Sequence, residues 1–166
     1  NPKYAEGYNN LGNVLFELSE FDKSLDCYEM AVKLDPNFSD AFNNLGNVYQ
    51  KKEDFNKAIE SYEVAISLQS GLNKDKPYYN LGNIFRELGS FKKSIDYYKK
   101  AIDINPNSVD AYINLSISLN KNGNLNEAIR YCEKATEKDP KNITALNNLG
   151  EYNQEIGNEN ISIAYY

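Results

Sequence analysis

The sequence contains no histidine and only two cysteines among its 166 residues. Histidine is the commonest general base and a frequent metal ligand, so its absence argues against most catalytic and metal sites. Cys27 and Cys132 are far apart in the chain, which indicates neither a zinc site nor a disulfide framework. Gly-rich phosphate loops are also missing, because each Leu-Gly pair falls inside a predicted helix. We therefore predict no metal, no cofactor and no enzymatic activity, in a reducing compartment such as the cytoplasm or nucleus.

Long apolar runs and an excess of positive charge are missing as well. No stretch approaches the roughly 18 consecutive apolar residues that suggest a membrane span. Lysine and arginine number 18 against 24 aspartates and glutamates, for a net charge of −6. Because this balance disfavours contact with a phosphate backbone, we expect neither a nucleic acid nor a membrane as a partner.

Asparagine, in contrast, is abundant, and it occurs in a stretch that recurs along the chain. "NNLGNV" at 9–14 returns at 43–48, and related stretches follow at 79–84, 113–118 and 147–152. Their leucines lie 34 to 36 residues apart, at Leu11, Leu45, Leu81, Leu115 and Leu149. A nearly fixed period in this range indicates stacked structural repeats.

Each repeat contains two apolar faces with helical spacing. With Ala5 as position 1, core-type residues recur at positions 4, 7, 8 and 11, and again at 17, 20, 24 and 27. Between the two faces, position 15 is Gly89, Gly123 and Gly157 in the last three repeats, where a left-handed turn is cheap for glycine. Ser19 and Glu53 occupy that position in the first two repeats. We therefore predict two antiparallel helices per repeat, which must stack because one pair cannot bury its face alone.

These residues resemble the pattern of the tetratricopeptide repeat (TPR) family. The matching small, aromatic and proline residues of the first repeat are Leu11, Gly12, Ser24, Tyr28, Ala31 and Pro36, and Pro106 and Pro140 close later repeats. The resemblance implies an all-α fold, a right-handed α-solenoid of antiparallel helix pairs. We expect a single array over 1–166, with repeats at approximately 5–38, 39–72, 75–108, 109–142 and 143–166. We expect the last repeat to be incomplete and residues 1–4 to be the remnant of a preceding repeat. Two extra residues predict a lengthened loop at Ser70–Pro77.

Asparagine forms a ladder at positions 6 and 9 of the repeats. Its members are Asn10, Asn44, Asn80, Asn114 and Asn148 at position 6, and Asn13, Asn47 and Asn83 at position 9. These positions lie roughly 170° from the core face of the helix, and the resemblance implies that they line a concave groove. One amide can bond both the C=O and the N–H of an extended peptide. We therefore predict a module that binds a peptide or disordered segment, with Lys51, Arg86 and Tyr79 as further groove residues.

Other interpretations of the ladder stay open. Asparagine is common here through composition and duplication, and position 6 could instead bridge neighbouring repeats. The ladder also resembles the superhelix that precedes the catalytic domain of O-linked N-acetylglucosamine transferases, which implies a substrate-recognition portion of a larger glycosyltransferase. A scaffold that uses its convex surface is a third alternative. A clamp for the acidic C-terminus of chaperones is incomplete, because Asn9 and Asn80 stand where it needs cations.

Two further features suggest contacts. Tyr79, Ile113 and Ile117 replace asparagine in the ladder, which predicts either an apolar anchor pocket or a cover for the inserted loop. The final half-repeat contains Ile163, Tyr165 and Tyr166. Because an unpaired repeat end is costly, we expect self-association through it.

Overall fold

The computed structural model describes residues 2–68 and 74–157, which form nine helices. The first helix of each repeat is α1 (Pro2–Glu17), α3 (Ser39–Lys51), α5 (Lys76–Glu87), α7 (Val109–Lys121) or α9 (Ile143–Glu155). The second is α2 (Phe21–Leu34), α4 (Phe55–Ser67), α6 (Phe91–Ile104) or α8 (Leu125–Lys138). No strand occurs within the described ranges, and the alternation of first and second helices follows the repeat period. The predicted all-α architecture of helix pairs is confirmed.

The chain divides into two compact units, Asn1–Ile84 and Phe85–Tyr166. In the N-terminal unit, α2 packs against both α1 and α3, and α3 packs against α4. In the C-terminal unit, α7 packs against α6 and α8, and α8 also packs against α9. Helices α2 and α8 therefore contact the next repeat as well as their own, which is the stacking that the repeat pattern predicts. The single array over the whole chain stays a prediction.

Glycine at position 8 allows the two helices of a pair to approach closely. A Cβ atom on Gly46 would lie 2.6 Å from Tyr62 Cδ1, and one on Gly12 would lie 2.6 Å from Tyr28 Cε1. Both tyrosines are buried at position 24 of their repeats. The ring thus fills the space that a larger residue at position 8 would need.

The fourth repeat replaces this glycine–tyrosine pair by Ser116 and Cys132. Both are fully buried. Ser116 Oγ donates to the Ile113 carbonyl at 2.7 Å, and Cys132 Sγ donates to the Ala145 carbonyl at 3.2 Å. A larger residue at position 8 therefore accompanies a smaller one at position 24, and both remain hydrogen-bonded.

The turn within each described pair contains one residue with positive φ. Gly89, Gly123 and Gly157 have φ of 69°, 82° and 81°. Ser19 and Glu53 adopt the same conformation, with φ of 60° and 59°. The left-handed turn predicted at position 15 is confirmed, and it costs a non-glycine residue about 1–2 kcal/mol.

Second helices end where the closing prolines predict. Helices α2, α6 and α8 end two residues before Pro36, Pro106 and Pro140. The intervening residue turns the chain through its side chain: Asp35 Oδ1 accepts the Asn37 N–H at 3.0 Å.

The lengthened loop is shorter than predicted at its far end. We expected it to reach Pro77, but α5 begins at Lys76 and Pro77 is buried in its first turn. Proline is tolerated there because the first N–H groups of a helix have no intrahelical acceptor. Residues 70–73 of the predicted loop lie outside the described residues.

The apolar face of α1 is more exposed than its repeat positions predict. Leu11 and Val14 are 50% and 56% exposed, whereas Leu45 and Val48 at the same positions of α3 are buried. Leu45 and Val48 pack in one cluster with Tyr28 of α2. Among the described residues no second helix covers α1 in the corresponding way. Ile163, Tyr165 and Tyr166, the basis of the predicted self-association, lie outside the described residues.

Candidate functional site

Hydrogen bonds join the ladder asparagines of α1 and α3. Asn44 Nδ2 donates to Asn9 Oδ1 at 2.9 Å and to Asn13 Oδ1 at 3.0 Å. The Tyr28 hydroxyl donates to the same Asn13 Oδ1 at 2.8 Å. Burial raises the pKa of Tyr28 to about 12, so this hydroxyl stays protonated at neutral pH. One network therefore ties α3 to α1 and α1 to α2.

The same network recurs one repeat later. Asn80 Nδ2 donates to Asn43 Oδ1 at 3.2 Å and to Asn47 Oδ1 at 2.9 Å. The Tyr62 hydroxyl donates to Asn47 Oδ1 at 2.8 Å. Position 6 thus donates to positions 5 and 9 of the preceding repeat, and position 24 orients position 9. The ladder bridges neighbouring repeats, as one interpretation of the sequence held.

The network uses only part of each amide. In the described chain no residue hydrogen-bonds to Oδ1 of Asn44 or Asn80, or to Nδ2 of Asn13 or Asn47. Asn13 is exposed, and the other three are partly exposed. The face therefore carries amide acceptors from position 6 and amide donors from position 9. That set is complementary to the N–H and C=O groups of an extended peptide.

The remaining predicted site residues have varied environments. Asn10 and Lys51 are exposed; Tyr79, Asn83, Arg86 and Asn114 are partly buried. Asn83, Asn114 and Tyr79 each interact with other residues of the protein. Arg86 Nε is buried without a hydrogen-bond partner in the described ranges. Lys51 belongs to the N-terminal unit and Arg86 to the C-terminal unit.

The ladder changes character in the C-terminal unit. Asn148 Nδ2 is buried and has no hydrogen-bond partner among the residues described. The positions that supply its acceptors in the N-terminal repeats, 5 and 9 of the preceding repeat, are Ile113 and Ile117. Cys132 also replaces the tyrosine of position 24. The isoleucines remove the acceptors, and their role as an anchor pocket stays a prediction.

Several members of the network were not predicted from the sequence. Asn9 and Asn43 are 7% exposed and accept the bonds from position 6, although their helical angle suggested an open groove. Tyr28 and Tyr62 were assigned to the core alone. The signal was present: asparagine at position 9 accompanies tyrosine at position 24 in the first three repeats, and the fourth loses both.

Neither thiol is activated. Burial raises the pKa of Cys132 to about 11. Burial, followed by the neighbouring Asp26 carboxylate, also raises the pKa of Cys27. Both are protonated at neutral pH and are weak nucleophiles. Within the described ranges, no group of His, Cys, Asp and Glu is arranged to hold a metal ion, and no helix is long and apolar enough to cross a membrane.

Family models match most of the chain. A TPR repeat model matches residues 12–53, and tetratricopeptide repeat models match 39–71, 76–108 and 97–130. A model of the protein prenyltransferase alpha subunit repeat matches 125–154, which is a match to a helical repeat. The search of curated proteins returned no significant match.

Solved structures share the fold. MamA has 27% identity and a TM-score of 0.82, with 93% of this chain and 89% of that chain covered. YrrB, described as a TPR protein with an unusual peptide-binding site, has 28% identity and a TM-score of 0.76 over 95% of this chain and 80% of that chain. PilF of Pseudomonas aeruginosa has 17% identity and a TM-score of 0.89, with 99% of this chain and 74% of that chain covered. These likenesses identify the fold as an α-solenoid of helix pairs.

Proposed function

This chain belongs to the tetratricopeptide repeat family, and from that premise we propose that it binds an extended peptide or disordered segment along its asparagine ladder. TPR proteins are protein-interaction modules, so a protein partner is expected for any member of the family. The relative YrrB, at 28% identity, is described as having a peptide-binding site. The finer proposal concerns where this chain binds and which atoms it uses.

The observation that carries the proposal is that four ladder amides, those of Asn13, Asn44, Asn47 and Asn80, keep part of their hydrogen-bonding capacity. Asn44 Nδ2 is engaged by Asn9 and Asn13, which leaves Asn44 Oδ1 for a ligand N–H. Asn13 Oδ1 accepts from Tyr28 and Asn44, which leaves Asn13 Nδ2 for a ligand C=O. Because internal bonds already fix these amides, binding costs little additional side-chain ordering.

Such hydrogen bonds involve the backbone N–H and C=O groups of a ligand, so they do not depend on its side chains. Each net hydrogen bond contributes about 0.5–1.5 kcal/mol, so several repeats must act together to give useful affinity. Selectivity would come from neighbouring groove residues. We assign preference for acidic ligands to Lys51 and Arg86, and apolar contact to Tyr79.

A non-catalytic role in the cytoplasm or nucleus is part of the proposal. The chain has no histidine, and burial keeps the Cys132 thiol protonated. The chain therefore lacks an imidazole general base, and its buried thiol is a weak nucleophile.

A second candidate function is substrate recognition within a larger glycosyltransferase. The observation that favours it is the repeated "NNLGNV" ladder at 9–14 and 43–48, which resembles that of O-linked N-acetylglucosamine transferases. The full-length coding sequence decides between the two. A glycosyltransferase domain after the repeats supports recognition of enzyme substrates, and any other organisation favours an independent interaction module.

Pull-down followed by calorimetry tests the peptide proposal. The protein is used to isolate a ligand, and the ligand is titrated into the parent and into the triple variant Asn44→Ala, Asn80→Ala, Asn114→Ala. Three lost hydrogen bonds should weaken binding by at least about tenfold. The loss should be similar for ligands whose side chains are scrambled, because the contact is to backbone.

Asn56→Ala provides the matched control, because Asn56 is exposed on α4 and outside the ladder. Thermal melts of each variant separate lost binding from lost folding. A triple variant that is folded and binds with the affinity of the parent contradicts the proposal.

A further inference from the structure

A cleft of about 350 Å³ lies among α2, α3 and α4 of the N-terminal unit. The aromatic rings of Phe42 and Tyr49 line it together with Ser61, and the exposed residues Glu29 and Glu60 add two carboxylates. Phe42 and Tyr49 stand at positions 4 and 11, on the side of α3 opposite to positions 6 and 9. The cleft is therefore separate from the asparagine ladder.

The cleft is open because position 23 is a serine in this repeat. In the third repeat the residue at position 23, Tyr97, stacks on Phe85 of position 11, with ring centroids 5.3 Å apart and planes 3° apart. In the fourth repeat Tyr131 lies 6.3 Å from the ring of Tyr112. Ser61 has no ring, so Tyr49 lacks the stacked partner that Phe85 has. A flat group from another molecule could take that place.

The Tyr49 ring already attracts a cation. That cation, Lys57, also lines the cleft. Its Nζ lies 5.3 Å from the ring centroid and 3.2 Å from the Asp54 carboxylate, which balances its charge. The Tyr49 hydroxyl lies 3.4 Å from Glu29 Oε1 and donates to it. Burial, followed by that carboxylate, raises the pKa of Tyr49, so the hydroxyl remains a donor at neutral pH. The aromatic face of Tyr49 and the carboxylate of Glu29 are therefore adjacent.

The charge at the rim positions differs along the chain. Positions 25 and 22 of successive repeats hold Glu29 and Glu60 here. They hold Glu63 and Asp96 one repeat later, and Lys99 and Arg130 after that. The charge is therefore reversed at equivalent places, which indicates that negative charge at the rim is no requirement of the fold. The whole chain carries −6, and this favours encounter with a basic partner.

We propose that this cleft binds an arginine side chain of a partner protein, with the guanidinium stacked on Tyr49 and hydrogen-bonded to Glu29 and Glu60. Arginine fits because its guanidinium is planar, stacks on aromatic faces and carries donors that match carboxylates. A lysine ammonium matches the charge but has no plane to stack. The inference is independent of the ladder, and it gives the protein a second binding surface.

NMR titration of the full chain tests the inference with a blocked tripeptide, acetyl-Gly-Arg-Gly-amide, as the probe. Saturable amide shifts should centre on Tyr49, Ser61 and Val64. The same peptide with citrulline keeps the planar shape without the charge, and it should bind on the order of tenfold more weakly. The lysine peptide should also bind more weakly. Free arginine that binds more tightly than the peptide would overturn docking of a protein side chain in favour of a small-molecule site.

Two variants locate the site. Ser61→Tyr copies the residue of the third and fourth repeats and should abolish the shifts by filling the cleft. The double variant Glu29→Gln, Glu60→Gln keeps the shape and should weaken the arginine peptide to the level of the citrulline peptide. Asn126→Ala, at an exposed position of α8 in the C-terminal unit, should leave the titration unchanged. Equal binding of arginine and citrulline peptides to the parent, or parent-like binding by either cleft variant, overturns the proposal.

Discussion

Gly46 lies in the middle of α3, where glycine weakens a helix by roughly 1 kcal/mol relative to alanine. Its position is explained by the Tyr62 ring, which occupies the space of a Cβ atom. We expect Gly46→Ala to lower the free energy of unfolding by about 1–3 kcal/mol, because the buried ring must shift. Urea denaturation of parent and variant measures the change.

Gly7→Ala is the control for this prediction. Gly7 is also helical, but a Cβ atom there would have no neighbour within 4 Å. The control should therefore gain stability from helix propensity alone. If Gly46→Ala also gains stability, the Tyr62 ring moves aside freely and the close-approach explanation is wrong.

Ser19 and Glu53 adopt a left-handed conformation that glycine adopts at the same position in later repeats. Ser19→Gly and Glu53→Gly should each raise the free energy of unfolding by about 1 kcal/mol, because the steric cost of the side chain is removed. Gly89→Ala should do the reverse in the third repeat. Thermal melts of the three variants check the signs, and destabilisation by both glycine substitutions would contradict the explanation.

Tyr28 links local packing to alkaline stability. Burial raises its pKa from 10.0 to about 12, so the folded state holds the proton more tightly than the unfolded state. The stabilisation is complete below pH 10 and is lost as pH rises towards 12. Tyr28→Phe should make the fall in unfolding free energy across this range shallower. Tyr4→Phe, on an exposed side chain, is the control and should keep the slope of the parent.

At the scale of elements, the same asparagine position stabilises one helix contact and weakens another. Asn44 Nδ2 makes two hydrogen bonds from α3 to α1, whereas Asn148 Nδ2 is buried on α9 and has no hydrogen-bond partner within 2–68 and 74–157. Asn44→Ala should lower the free energy of unfolding by about 1 kcal/mol, because it removes the donor to the oxygen of the buried Asn9 side chain. Asn148→Ala should raise it by a similar amount, because it removes an unsatisfied donor and favours the helix.

Chemical denaturation of these two variants compares the same substitution at equivalent repeat positions. Opposite signs are the expected outcome. Destabilisation of similar size at both sites would mean that Asn148 has a partner after all, and that Ile113 and Ile117 do not interrupt the network.

The helices and their turns were predictable because their signals are local. Apolar residues three and four apart define a helix face, and Gly89 and Gly123 mark a left-handed turn. The start of α5 was misplaced, because Pro77 in a first helical turn looks like a loop residue. The partners of Asn44 were harder to predict, since they lie 31 and 35 residues away. Only the packing of successive first helices brings them together.

At the scale of the whole molecule, the repeat period predicted both the fold and the side of the helices that carries the ladder. It did not decide between a bridging and a ligand-binding role, because both need an amide at the same position. The contacts of Asn44 and Asn13 show the bridging role, and they leave other atoms of the same amides for the ligand contacts that we propose. The cleft beside Tyr49 was not predictable from the sequence. Ser61 differs from Tyr97 at the same repeat position, but only the structure shows that the Tyr97 ring stacks on its neighbour and that Ser61 leaves this space open.

The central claim is that inner atoms of the ladder hold the repeats together while outer atoms bind the peptide. One crossed measurement tests it: calorimetric titration of the pulled-down ligand, with a thermal melt, for two aspartate variants. Asn13→Asp with Asn47→Asp keeps Oδ1 for the internal network and removes the outward donor. Asn44→Asp with Asn80→Asp removes the internal donor instead. Titration at two salt concentrations corrects for the added charge.

The variant at Asn13 and Asn47 should keep the melting temperature of the parent and lose at least about tenfold in affinity. The variant at Asn44 and Asn80 should melt at a lower temperature, because its network lacks donors. Parent-like affinity in the first variant, with its fold intact, would contradict the claim and leave the asparagines with a structural role alone.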